Sequence, residues 1–87
     1  MNTEKIEIEH SFFCETMENA QGLADELTVM GHKVLSIEKS EDQEQEGFYV
    51  ETSEMTTPAQ AALNAGNLSA LAEEFDAVYD GWGHSLD

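Results

Sequence analysis

Three histidines, one cysteine and nineteen acidic residues are the groups in this 87-residue chain that could do chemistry. His10 and Cys14 carry metal-ligating side chains and sit four residues apart. In the extended segment "KIEIEHSFFC" they share one strand face, which sets their Cα atoms about 13 Å apart. One zinc ion cannot be shared across that span, because its bonds to nitrogen and sulfur are only about 2.0 to 2.3 Å long. His84 could approach either residue, but nothing in the spacing requires it, so no metal site is expected. His10 reads as a histidine near a strand edge or partly in the core, and Cys14 as a small buried apolar residue. "SEDQEQEG" is rich in oxygen ligands, yet it lacks the D-x-[DN]-x-[DN]-G spacing and closing glutamate of a calcium loop. It reads as a solvated turn. G-x-S-x-G, G-x-x-x-x-G-K-[ST] and G-x-G-x-x-G are all absent from the sequence. With three Lys and no Arg, an oxyanion or phosphate site would rest on backbone alone. The acid pairs cannot be told apart from surface charge. No catalytic residue and no cofactor are expected.

The acids are informative as a field. The formal charge is −16. Charge at this density keeps a protein soluble and works against its compact state. It repels nucleic-acid phosphate and anionic lipid, and it attracts and steers a basic protein. Two readings stay open: a surface solvated for a high-salt habitat, or a surface built for a basic partner. A single cysteine cannot form an internal disulfide, which leans toward a reducing compartment. "MNTEKIEIEH" lacks the basic and apolar regions of a signal peptide, and no apolar run approaches a membrane span. A soluble, cytoplasmic protein without membrane or nucleic-acid partners is expected. The length gives one small domain, residues 1–87.

The elements that must position these residues follow from periodicity. In "KIEIEHSFFC", Ile6, Ile8, His10, Phe12 and Cys14 share one parity, and Glu7, Glu9, Ser11 and Phe13 the other, as in a strand with one buried face. Met17, Ala20, Leu23, Ala24, Leu27 and Met30 then recur at helical spacing. Thr16 is the N-cap of that helix and Gly31 its C′ glycine. "KVLSIEKS" is a second strand of unclear parity, since Val34 falls on one face and Leu35 and Ile37 on the other. "EDQEQEG" is a loop, and "FYVETSEM" a third strand with Phe48 and Val50 opposite Tyr49 and Glu51. "TTPAQAALNAGNLSALAEEF" is a second helix, with Thr57, Pro58 and Gln60 forming its capped start. Its stripe runs through Leu63 (or Ala62), Ala65, Leu68, Leu71, Ala72 and Phe75, with a kink or break expected at Gly66-Asn67. "AVYDG" is a last short strand. The order βαββαβ with right-handed crossovers predicts a ferredoxin-like α+β sandwich. Its four-stranded antiparallel sheet has the order 4-1-3-2, with two helices, near 16–30 and 58–75, on one face. Ile6, Ile8, Leu23, Leu27, Phe48, Val50, Leu68, Leu71 and Phe75 form the predicted core.

The other face of such a sheet is open. On its two central strands it carries Glu7, Glu9, Ser11, Phe13, Tyr49 and Glu51. RNA-recognition domains use this fold order and stack bases on aromatics there. Here glutamates surround the aromatics, so a phosphate backbone meets repulsion. A basic, partly apolar protein segment suits the face better. The alternative is that Phe13 and Tyr49 are cross-strand neighbours that only stiffen the sheet.

The order of elements, the "SEMTTP" step from strand three into helix two and the "LSALAEEFDAVYDGWG" ending resemble the RraB family, regulators of ribonuclease E. The likeness spans about residues 6 to 83, and its sharpest element is Tyr79-Asp80-Gly81-Trp82-Gly83. The resemblance implies a non-catalytic inhibitor that binds the ribonuclease at its scaffold region and changes RNA decay without touching RNA. An acidic binder of a basic, arginine-rich segment agrees with the charge. The best-known members are longer, with an extra acidic C-terminal stretch, whereas this sequence runs four residues past Gly83. A small ligand- or metal-binding module is the alternative, with a cavity converging on His10, Cys14 or His84. For Trp82, between two glycines, the expectation is a buried anchor over the end of the core.

Overall fold

The computed structural model describes residues 4–41 and 46–84. Six elements follow in chain order: β1 (Ile6–Cys14), α1 (Met17–Val29), β2 (Lys33–Lys39), β3 (Phe48–Thr56), α2 (Pro58–Glu74) and β4 (Ala77–His84). All strand pairs are antiparallel and the sheet order is β2-β3-β1-β4, the expected 4-1-3-2. The sandwich is therefore α+β and ferredoxin-like. Residues 42–45 of the acidic loop lie outside the described residues.

The caps work as their residue types dictate. The Thr16 hydroxyl accepts from the Asn19 amide at 3.1 Å, and Thr57 from the Gln60 amide at 3.1 Å, each satisfying one free N–H of a first turn. Helix α1 ends in a Schellman motif. Gly31 takes φ +97°, its amide donates to the Thr28 carbonyl, and the His32 amide donates to the Leu27 carbonyl at 2.9 Å. That reversal fixes where His32 enters the fold.

The helices cover the face made by the even-numbered residues of β1 and β3. Ile8, Phe12, Cys14, Leu23, Leu27, Val50 and Leu68 are fully buried, each contributing about 1.5–3 kcal/mol if it is a large aliphatic or aromatic side chain. Four members of the predicted core sit higher. Ile6, Phe48, Leu71 and Phe75 are half-buried, and the last three pack against the core from its margin. A one-sided sheet of this size has a long perimeter, so residues at element ends keep one side in solvent. Met17 and Met30, at the ends of the first stripe, are exposed for the same reason.

Two stripes are corrected in detail. Helix α2 is unbroken through Gly66-Asn67, and its buried line is Ala61, Leu68 and Ala72. Leu63 is exposed, since two residues from Ala61 is about 200° around the helix. In β2 the parity puzzle resolves as a bulge. The register jumps between Val34, opposite Thr52, and Ser36, opposite Glu51. Leu35 is the extra residue and is exposed. Val34 and Ile37 thereby reach the same, core-facing side.

Candidate functional site: the open sheet face

Pairing of β1 with β3 sets Phe13 opposite Tyr49 and Ser11 opposite Glu51. The two rings meet edge-on, with centroids 5.1 Å apart at 62°, the geometry favoured by opposed ring quadrupoles. Both remain half-buried and so still present area. The Ser11 hydroxyl donates to Glu51 Oε1 at 3.1 Å, which holds that carboxylate over the face. Glu7 is exposed and Glu9 half-buried on the same row.

Strand β4 completes the surface in a way the sequence did not disclose. It runs on to His84, and its register against β1 shifts between Ser11 and Phe12. Asp80 is the extra residue of this bulge. Gly81 next to it takes φ +120°, a conformation that side chains resist. Beyond the bulge, Gly81 lies opposite Ser11 and Gly83 opposite Glu9. A side chain built on either glycine would meet open space. The result is a groove of about 290 Å³ lined by Glu9, Ser11, Glu51, Asp80, Gly81 and Trp82, among others. At its far end Val78 pairs with Phe13 and is 62 % exposed. Acidic groups, a bare glycine floor and an aromatic–aliphatic patch thus lie side by side. This arrangement can accept a cationic side chain with an apolar stem.

Trp82 is not the buried anchor expected. It is 36 % exposed, outside the core cluster, and borders the groove. β4 is an edge strand, and beyond its bulge Trp82 lies opposite His10 at the outer margin of the sheet.

Beneath the helices lies a second constellation. His10, fully buried, places Nδ1 2.7 Å from the Tyr79 hydroxyl and Nε2 2.6 Å from Glu54 Oε2. With the carboxylate ionised, Nε2–H donates to Glu54 and Nδ1 accepts from Tyr79. Asn64 of α2 donates to both Glu54 oxygens, at 3.1 and 3.3 Å. Burial, then the neighbouring Glu54 charge, pushes the Tyr79 phenol up to about 12. His32 packs edge-on against His10, with ring centroids 5.5 Å apart. Its pKa is lowered by burial, which outweighs the raising effect of Glu54 and is joined by His10. The potential ligand atoms of His10, His32 and Glu54 all lie within 4.8 Å of one another. The structure therefore groups His10 with His32 and Glu54. Cys14 is buried in the apolar core, where burial pushes its thiol up, and His84 is exposed at the end of β4.

The family model described as regulator of ribonuclease activity B, RraB, matches residues 2–84, nearly the whole chain. The chain belongs to the RraB family. No curated protein matches it. The RraB match includes the groove, the buried histidines and the closing Tyr79–Gly83 segment in one domain. Among the described residues no helix is long and apolar enough to cross a membrane.

The sequence pointed to Glu7, Glu9, Phe13, Tyr49 and Glu51, and the structure brings them onto one face. It missed Val78, which pairs with Phe13, and Asp80, the extra residue of a bulge signalled only by Gly81. It also missed His32 and Glu54, which meet His10 from 22 and 44 residues away. Glu54 on the helix-facing parity of "FYVETSEM", where an apolar residue belongs, was the one available sign.

Proposed function

We propose that this RraB-family protein is a non-catalytic regulator that inhibits ribonuclease E, or the RNA-degrading assembly built on it, by binding a basic protein segment. The observation that carries this reading is the groove itself: Glu9, Glu51 and Asp80 around a glycine floor, beside Phe13, Tyr49 and Val78. A guanidinium entering there gains paired carboxylates and an adjacent aromatic face. The −16 charge steers such a segment inward and turns RNA away. Family membership supplies the ribonuclease, and the arginine-rich scaffold region of ribonuclease E has the matching charge. The regulator acts in the cytoplasm, touches the enzyme rather than its substrate, and uses Glu7, Glu9, Phe13, Tyr49 and Glu51 as its contact residues. In the Tyr79–Gly83 motif, Tyr79 serves the fold and Asp80, Gly81, Trp82 and Gly83 shape the groove.

The test is cleavage of a labelled RNA by purified ribonuclease E, full length and without its scaffold region, with increasing amounts of the regulator. Inhibition confined to the full-length enzyme is expected. Equal rates at every concentration, or a gel shift of the RNA by the regulator alone, would contradict the proposal.

A further inference from the structure

The helix-facing constellation lies on the opposite side of the sheet from the groove and is not needed for partner binding. Its composition is unusual for a small core. His10 is fully buried and His32 is 8 % exposed. The His32 Nδ1 atom is buried without a hydrogen-bond partner, a deficit that ordinarily costs about 1–3 kcal/mol. Thr52, directly opposite His10 in the sheet, also buries an unpartnered hydroxyl. An unpaired imidazole nitrogen beside a second imidazole and a carboxylate is the donor set of a transition-metal site.

We propose that His10, His32 and Glu54 bind one divalent zinc-class ion. Two imidazoles and a carboxylate supply three ligands, and a solvent molecule completes four-coordination. Glu54 is the least buried ligand, with its side chain 13 % exposed, and gives the ion its way in. Tetrahedral bonds of about 2.0–2.1 Å place ligand atoms about 3.3 Å apart. The atoms now lie within 4.8 Å of one another, with the His10–Glu54 pair drawn to 2.6 Å. Entry of the ion widens that pair and draws His32 in, by side-chain shifts of about an ångström.

The protons balance: the single proton of the neutral His10 ring moves from Nε2 to Nδ1 when Nε2 takes the metal, and Nδ1–H then donates to the Tyr79 oxygen, whose own O–H turns away from the ring. Tyr79 thereby orients the ligand ring, as outer-shell partners of metal-bound histidine do. Asn64 does the same for Glu54. Burial already keeps His32 in the neutral form that a metal requires. The ligands come from β1, β3 and the α1–β2 corner, so the ion ties together three distant parts of the domain.

The experiment is titration of chelator-treated protein with Zn²⁺ by calorimetry and with Co²⁺ by visible absorption. Wild type is expected to bind one equivalent tightly, above weak binding to surface acids, with the intense Co²⁺ bands of a low-coordinate site. Glu54→Gln and His32→Asn should each weaken that step at least tenfold. Tyr79→Phe should weaken it by about 10- to 100-fold, and His84→Ala should leave it unchanged. Thermal melts in chelator establish that each variant is folded, and Glu54→Gln, nearest the surface, stands in if His32→Asn is not. Weak Zn²⁺ binding that is the same in wild type and in folded Glu54→Gln, or the faint Co²⁺ bands of an octahedral surface complex, would overturn the proposal.

Discussion

Tyr79→Phe removes one oxygen atom and should destabilise the metal-free protein by about 1–3 kcal/mol, the cost of a buried polar group left without its partner. The hydroxyl sits 2.7 Å from Nδ1 of His10, whose side chain has no contact with solvent, so water cannot replace it. The phenyl ring that remains still packs on Phe12, where the present centroid distance is 5.2 Å, and the change therefore isolates the hydrogen bond. In a domain of this size the midpoint of thermal unfolding falls by about 4–8 °C per kcal/mol, which gives a drop of about 4 to 24 °C. A pH series adds a signature that simple loss of packing lacks. The Tyr79 pKa, about 12 in the fold, lies above the value near 10 of an unfolded tyrosine. As pH rises from about 10 to 12 the unfolded chain gives up its proton first, so wild type loses stability in that window. The variant has no such group, and the gap between the two proteins should narrow there. Urea or thermal unfolding of both proteins in chelator, from neutral pH to pH 11, provides the data. A loss below about 0.5 kcal/mol at neutral pH, or a gap of constant size throughout, would refute the reasoning, because it would mean that His10 does not depend on Tyr79.

Three further outcomes follow from the same packing and charges. Leu27, fully buried between α1 and the sheet, should cost about 2–5 kcal/mol when cut to alanine, read by urea unfolding; a change within error would misplace the α1 stripe. His32 has a lowered pKa in the fold, so below the unfolded value near 6.5 the unfolded chain takes up the proton first. Stability then falls as pH drops, by up to about 1.4 kcal/mol per pH unit from this one group, and His32→Gln should flatten the profile between pH 7 and 5. Trp82→Ala should shift the melt by less than about 1 kcal/mol, as expected away from a core, while the complex with a basic partner dissociates at least tenfold faster; a large melt shift with unchanged dissociation would return Trp82 to the structural role its sequence suggested.

How much of this was legible in the sequence depended on whether a feature was periodic or relational. Strand β1 and helix α1 announce themselves because Ile8, His10, Phe12 and Cys14 alternate, and Leu23, Ala24 and Leu27 recur at helical steps. Their caps are local as well, down to the Schellman turn at Gly31. Bulges defeat the same logic. One extra residue at Leu35 and another at Asp80 reverse every later side chain, and neither residue looks different from its neighbours. Trp82 is exposed because its strand is the edge of the sheet, which its size does not disclose. The open-face residues were found because parity alone places them. The buried pairing of His10 with Glu54 and His32 joins three elements, and the one local sign of it was Glu54 on the helix-facing parity of its strand.

The central claim, that the open acidic face captures a basic segment, is tested most directly by association kinetics on immobilised ribonuclease E scaffold segment across a salt series. Wild type is compared with the double variant Glu7→Lys, Glu9→Lys, whose positions lie on the open-face row of β1, away from the core. Steering of a basic segment by an acidic face raises association rates by about 10- to 1,000-fold, so the variant should associate at least tenfold more slowly, with a flattened salt dependence and an unchanged melt. Association at the wild-type rate and with the wild-type salt dependence would contradict the account.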